Sequence, residues 1–186
     1  MSISTNQFKT GMAIVFDGEL YIIAEFQHVK PGKGAAFVRT KLKSMKHGRI
    51  LERTFDAGEK FEDAFIEKKP LQFQYRGGDT FNFMDLESYE QRIFSREELG
   101  DAANYLIENL EVKAEFYKGK LIGMDLPTAV VLKVVDSDPG VRGDSSKSSM
   151  KPATLETGYK MQVPLFIEPG ESIKIDTRTG EYIGRA

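Results

Sequence analysis

The sequence predicts an all-β protein built of small barrels. Three observations carry this expectation. Apolar and polar residues alternate in a dozen short runs. Turn-forming residues separate those runs at spacings of about 8–12 residues. Helical periodicity is nearly missing.

In chain order the predicted strands are Met12–Phe16, Leu20–Phe26, Ala36–Leu42, Ile50–Phe55, Leu71–Tyr75, Thr80–Asp85, Ser88–Phe94, Glu111–Tyr117, Lys120–Asp125, Ala129–Val135, Lys160–Pro164 and Ser172–Asp176. Asp17-Gly18 and Lys118-Gly119 mark the clearest tight hairpins, because Gly supplies the positive φ such turns need. One segment reads as helical. Ser95 is a predicted N-cap, with Glu97 and Glu98 in the first turn, where the helix dipole favours anions. Leu99, Ala102, Ala103, Leu106 and Leu110 give it an intermittent apolar face, and Gly100 argues for two short helices over one long one.

Twelve strands exceed one small barrel. Breaks near Ala64–Pro70 and Leu126–Pro127 suggest three pieces, 1–64, 65–127 and 128–186. Pieces of about 60 residues can fold alone. Closed five-stranded barrels suit that size, because closure removes exposed strand edges.

Composition excludes several chemistries. Of 186 residues, 40% are apolar and 29% charged, typical of a globular protein. Cys is absent and His occurs twice, which excludes disulfide scaffolds, zinc ribbons, iron–sulfur clusters, thiol nucleophiles and multi-His metal sites. No secretory signal or membrane-length apolar run is visible, so no membrane partner and a cytoplasmic location are expected. The net charge of −2 conceals an asymmetry: residues 1–55 carry +5, residues 56–128 carry −7, and the remainder carries none. Lys30, Lys33, Arg39, Lys41, Lys43, Lys46, Arg49 and Arg53 concentrate the positive charge against only Glu52. Such a patch reads either as a phosphate-backbone contact or as a solubilising face on a strand pair.

Enzyme signatures are missing. No phosphate-binding Gly-rich loop, dinucleotide fingerprint, His-Glu-x-x-His or Gly-x-Ser-x-Gly occurs. Ser148 and Lys151 satisfy Ser-x-x-Lys, a short pattern that recurs by accident. Asp136 and Asp138 form a carboxylate pair beside Pro139-Gly140, where a solvated turn explains them better than a metal. No metal and no cofactor are expected, and the missing site argues for a binding function.

The most informative segment is His28-Val29-Lys30-Pro31-Gly32-Lys33-Gly34-Ala35-Ala36-Phe37, between two predicted strands. Pro31 stiffens one arm. Gly32 and Gly34 leave Lys33 without bulky neighbours, so its side chain can extend into a narrow space or meet a modifying enzyme. An ordinary turn with a solvated lysine fits the same pattern.

This loop resembles the modification loop of the bacterial translation elongation factor P family, and the resemblance covers essentially the whole chain. It is strongest at Gly143-Asp144, Lys151-Pro152-Ala153-Thr154-Leu155-Glu156-Thr157-Gly158, Val163-Pro164-Leu165-Phe166-Ile167 and Asp176-Thr177-Arg178-Thr179-Gly180-Glu181-Tyr182-Ile183. The resemblance implies an SH3-like (KOW-like) barrel followed by two OB-folds in an L-shaped, tRNA-like arrangement. It further implies a non-enzymatic monomer that binds the ribosome between the P and E sites beside peptidyl-tRNA, relieves stalling at consecutive prolines and stimulates peptide-bond formation. The implied partners are ribosomal RNA, E-site proteins, P-site peptidyl-tRNA and a lysine-modifying enzyme. By the same resemblance Lys33 contacts the peptidyl-transferase centre, bare or carrying a β-lysyl or similar modification, with Pro31, Gly32 and Gly34 shaping its loop.

Lys30, Arg39, Lys41, Lys43 and Lys46 are the expected RNA-phosphate contacts, although Lys41 or Lys43 also reads as a solvated strand residue. Gly143, Asp144, Ser145, Ser146 and Lys147 resemble the family's third-domain RNA-contacting loop, and a flexible linker fits that composition equally. Phe73, Tyr75, Phe81 and Phe83 read either as base-stacking platforms or, by their period-two spacing, as barrel core. Tyr182 and Arg185 read as RNA contacts or as a frayed terminal strand. Two further functions remain open from the residues: a general single-stranded RNA-binding OB-fold protein or RNA chaperone, which the acidic central segment disfavours, and a small enzyme, which the missing catalytic signatures disfavour.

Overall fold

A computed structural model describes residues 1–139 and 149–186. In order, the strands are β1 (Ser2–Ser4), β2 (Ala13–Phe16), β3 (Glu19–Val29), β4 (Phe37–Ser44), β5 (Ile50–Asp56), β6 (Lys60–Asp63), β7 (Glu67–Gly77), β8 (Thr80–Asp85), β9 (Gln91–Ser95), β10 (Glu111–Tyr117), β11 (Lys120–Asp125), β12 (Ala129–Ser137), β13 (Met150–Leu155), β14 (Lys160–Pro164), β15 (Ser172–Asp176) and β16 (Tyr182–Arg185). They form three curled sheets, ordered β1-β6-β2-β3-β4-β5, β11-β10-β7-β8-β9 and β14-β13-β12-β15-β16. The chain packs as two compact units: Met1–Lys68 with Glu115–Gly123, and Lys69–Ala114 with Met124–Ala186.

The first sheet has six strands, one more than the expected five. The extra strand is β1, which pairs antiparallel with β6. Beside it Thr5 is fully buried: its hydroxyl donates to Asp56 O (3.1 Å) and accepts from Gly58 N (2.8 Å). This clasp joins residues more than fifty positions apart and closes the sheet over a core of Phe8, Ile14, Ile23, Val38, Leu42, Phe55 and Phe61.

All twelve predicted strands have counterparts, and four further strands escaped the sequence reading: β1, β6, β13 and β16. β1 and β6 are short and polar. β13 contains Pro152, which normally argues against a central strand. It is tolerated because the ladder to β12 begins at Ala153, one residue past the missing N–H. β9 starts later than predicted, because Asp85 Oδ1 accepts from Glu87 N and Ser88 N and holds a turn there. Both tight hairpins form as expected: Asp17 and Gly18 have φ of 49° and 76°, and Lys118 and Gly119 have 49° and 79°.

Ser95 caps α1 (Arg96–Leu99) with a reciprocal box. Its Oγ accepts from Glu98 N (3.2 Å), while Glu98 Oε2 accepts from Ser95 N (2.8 Å). Gly100, at φ +56°, ends α1, and a 3₁₀ turn runs from Gly100 to Tyr105. Tyr105 packs into the third sheet's core with Leu132, Val134, Leu155, Val163, Ile173 and Ile175. Thr157 Oγ1 donates to Asn104 O (2.7 Å) beside it.

Candidate nucleic-acid interface

β3 and β4 build a long antiparallel hairpin, registered from Tyr21 opposite Ser44 to Val29 opposite Phe37. β3 runs three residues beyond its predicted end, so the pair becomes a stalk that carries loop 30–36 at its tip. Pro31, Gly32, Lys33 and Gly34 are all exposed. Lys33 makes no hydrogen bond or ion pair with any described residue. Gly34 has φ +105°, a region L side chains rarely adopt, so this glycine is required by conformation. Gly32 has no such φ and faces open space, so its role is limited to leaving room. Lys30, at the loop entrance, is exposed and pairs with no described residue.

On β4 the side chains alternate cleanly. Val38, Thr40, Leu42 and Ser44 point into the barrel, and Phe37, Arg39, Lys41 and Lys43 point out. Arg39, Lys41 and Lys43 therefore share one outer face. Their surroundings differ. Lys41 Nζ donates to Glu25 Oε2 at 2.7 Å. That hydrogen bond, with the charges of Glu25 and Glu52, raises the Lys41 pKa above its ordinary value. Lys46 lies 3.7 Å from Glu19. Among the described residues Arg39 has no carboxylate partner; its guanidinium rests over the Phe37 ring, 5.7 Å from the centroid. Lys43 stands between Ile22 and Ile50 in the register and is also unpaired among the described residues. A shallow groove on this face runs between Glu25, Gln27, Arg39, Lys41, Glu52 and Thr54.

Two features of this face escaped the sequence. Glu25 lies on β3, sixteen residues from Lys41, and the register brings it into the basic row. Phe37 becomes the platform for Arg39 through the side-chain alternation of β4. The i, i+2 spacing of Phe37 and Arg39 was the available signal.

Phe73, Phe81 and Phe83 are buried and pack ring to ring, with centroids 5.3–6.1 Å apart, so they are core and not stacking platforms. Tyr75 is 56% exposed, because a bulge between Phe73 and Tyr75 turns it outward. Tyr182 packs against the third core. Arg185 is engaged by Glu171 (3.2 Å) and the Phe166 ring (4.8 Å). Gly143, Asp144, Ser145, Ser146 and Lys147 lie outside the described residues, as does Ser148 of the Ser-x-x-Lys pattern. Among the described residues no group of three or more His, Asp or Glu side chains could hold a metal. No described helix is long and apolar enough to cross a membrane.

Three family models match the chain in series: the elongation factor P KOW-like domain over residues 4–61, its OB domain over 66–124, and its C-terminal domain over 130–185. Curated relatives agree along the full length. Elongation factor P of Pelotomaculum thermopropionicum is 52% identical over 183 residues, covering 98% of this chain and 99% of its own. That of Desulfitobacterium hafniense is 53% identical over 184 residues, covering 99% of this chain and 100% of its own. The fold also resembles the solved translation initiation factor 5A from Methanococcus jannaschii, with a TM-score of 0.54 and 22% identity over 68% of this chain and 92% of that one. A KOW-like barrel followed by OB domains, with these relatives, defines a translation elongation factor. The chain belongs to the elongation factor P family.

Proposed function

We propose that the chain binds the ribosome between the P and E sites, beside peptidyl-tRNA, and speeds peptide-bond formation at consecutive prolines by positioning the acceptor end of that tRNA with Lys33. The observation that carries this reading is the exposed, unpartnered ammonium of Lys33 at the tip of the β3–β4 stalk. A folded-back or ion-paired lysine would be unavailable for such a role.

Proline restricts backbone φ, so nascent and incoming prolines sample poor geometries for attack. A cationic arm along the tRNA terminus improves orientation without transferring protons or forming a covalent intermediate. Orientation can be worth about 7–11 kcal/mol in favourable cases. The share here is far smaller, because the ribosome already supplies most of it. A β-lysyl or similar group on Lys33, added by a lysine-modifying enzyme, would lengthen the arm and add donors. Arg39 and Lys43 supply phosphate contacts below the tip, with Lys30 at the loop entrance.

The test is translation of a Pro-Pro-Pro reporter with Lys33→Ala, alongside ribosome co-sedimentation. The expected result is a folded protein that still sediments with ribosomes and no longer relieves stalling. Full relief by Lys33→Ala overturns the reading.

A further inference from the structure

The inner face of the third sheet carries a charged residue at one end of its core. On β13 the inward residues are Lys151, Ala153 and Leu155. Lys151 is 3% exposed, and its ammonium has no hydrogen-bond partner among the described residues. Glu168 Oε1 lies 3.8 Å from it, beyond hydrogen-bond reach. The Glu168 side chain itself is 66% exposed.

A second orphan lies beside it. Ser137 pairs with Ala153 across β12 and β13, so its side chain shares the inward face. Its Oγ is also buried without a partner among the described residues. Ser137 and Lys151 are diagonal cross-strand neighbours, within range of a long side chain. The barrel end thus presents a three-donor ammonium and a hydroxyl, both unsatisfied. Leaving such groups unpaired is costly, most of all for a charge. A lysine that served only to fill the core with its stem would extend its head to water. Lys151 does not.

We propose that Lys151 and Ser137 form a subsite for a phosphate group, guarded by Glu168. The long 3.8 Å separation makes Glu168 a weak counter-charge, and its exposure lets it give way to a competing anion. An incoming phosphate takes its place and accepts hydrogen bonds from Nζ and Oγ together. Phosphate suits the site better than a carboxylate, because its tetrahedral oxygens can accept from two donors at once, and because the carboxylate already present stays 3.8 Å from Nζ. The site stands on the geometry of the third barrel and does not depend on the ribosomal role of Lys33.

The experiment titrates inorganic phosphate into the full isotope-labelled chain, against chloride at equal ionic strength, and follows the Lys151 ammonium and Ser137 amide resonances. The expected result is saturable shifts at both residues. Lys151→Met should weaken binding about tenfold or more, as for loss of a charge-assisted hydrogen bond, and Ser137→Ala several-fold. Glu168→Gln should tighten it, because the competing charge is gone. A structural Lys151–Glu168 pair gives the opposite pattern: no saturation in the wild type, and lower stability without gain of binding in Glu168→Gln. Either that pattern or saturation that survives Lys151→Met overturns the proposal. Should Lys151→Met fail to fold, the Glu168→Gln and Ser137→Ala titrations decide. A second arm adds a short uridine oligonucleotide. Competition with phosphate identifies an RNA backbone as the source, and no competition identifies free phosphate.

Discussion

Lys41 Nζ lies 2.7 Å from Glu25 Oε2 across the β3–β4 ladder, so the protein itself neutralises the middle cation of the Arg39, Lys41, Lys43 row. Among the described residues the free cations of that row are Arg39 and Lys43. In the proposed function this ranks the residues. Arg39→Gln should weaken ribosome binding and lower the salt slope by about one. The double variant Glu25→Gln/Lys41→Gln removes no net charge and should leave binding nearly unchanged. Co-sedimentation across a potassium chloride series checks both, and equal losses in the two variants would remove the distinction.

Gly34 and Gly32 flank Lys33 with different demands. Gly34→Ala forces a Cβ onto a φ of +105° and should cost about 1–2 kcal/mol or reshape the loop. Gly32→Ala should be near neutral, since nothing lies within 4 Å of the new Cβ. Chemical denaturation, paired with the proline reporter, separates the two. Equal behaviour would show that the loop relaxes freely.

Tyr105 is 4% exposed, and burial, with the Tyr159 hydrogen bond second, pushes its phenol up to about 12. Its folded pKa exceeds the ordinary 10, so its contribution is fully present below pH 10 and is lost as pH rises towards 12. A rise from 10 to about 12 corresponds to about 3 kcal/mol. Urea unfolding between pH 9 and pH 11.5 should show a steeper decline for the wild type than for Tyr105→Phe. Parallel curves would refute the assignment.

Asp176 behaves in the opposite sense. Arg178 grips it with Nη2 at 2.7 Å and Nε at 3.1 Å, and its backbone N–H adds a third bond at 2.8 Å. Chiefly through the side-chain bonds, the carboxyl falls to about 2. Its stabilising effect is therefore present above the ordinary 3.8 and disappears as pH falls towards 2. Arg178→Gln should move the Asp176 titration, followed by carboxyl NMR, back towards 3.8, stopping short because the backbone bond remains. No movement would assign the shift to the backbone alone.

Strands with strict alternation were legible in the sequence, as were both glycine hairpins and the Ser95 cap, because each rests on neighbours within a few residues. What escaped depends on partners far along the chain. β1 is polar and short, and exists because β6 receives it. Tyr75 parts company with Phe73 through a bulge that no period-two pattern announces. At the candidate site, the exposure of Lys33 followed from its glycine neighbours. The pairing of Lys41 did not, since Glu25 reaches it only through the register of two strands. The requirement for Gly34, and the mere tolerance of Gly32, appear only when φ is known.

The first compact unit draws its residues from two stretches, Met1–Lys68 and Glu115–Gly123. As the chain emerges during synthesis, the opening sheet can form early, yet its unit waits for a hairpin made some fifty residues later. Nascent molecules arrested between those stretches should stay vulnerable to proteases in their first sheet, and only once Gly123 clears the exit tunnel should that protection become complete.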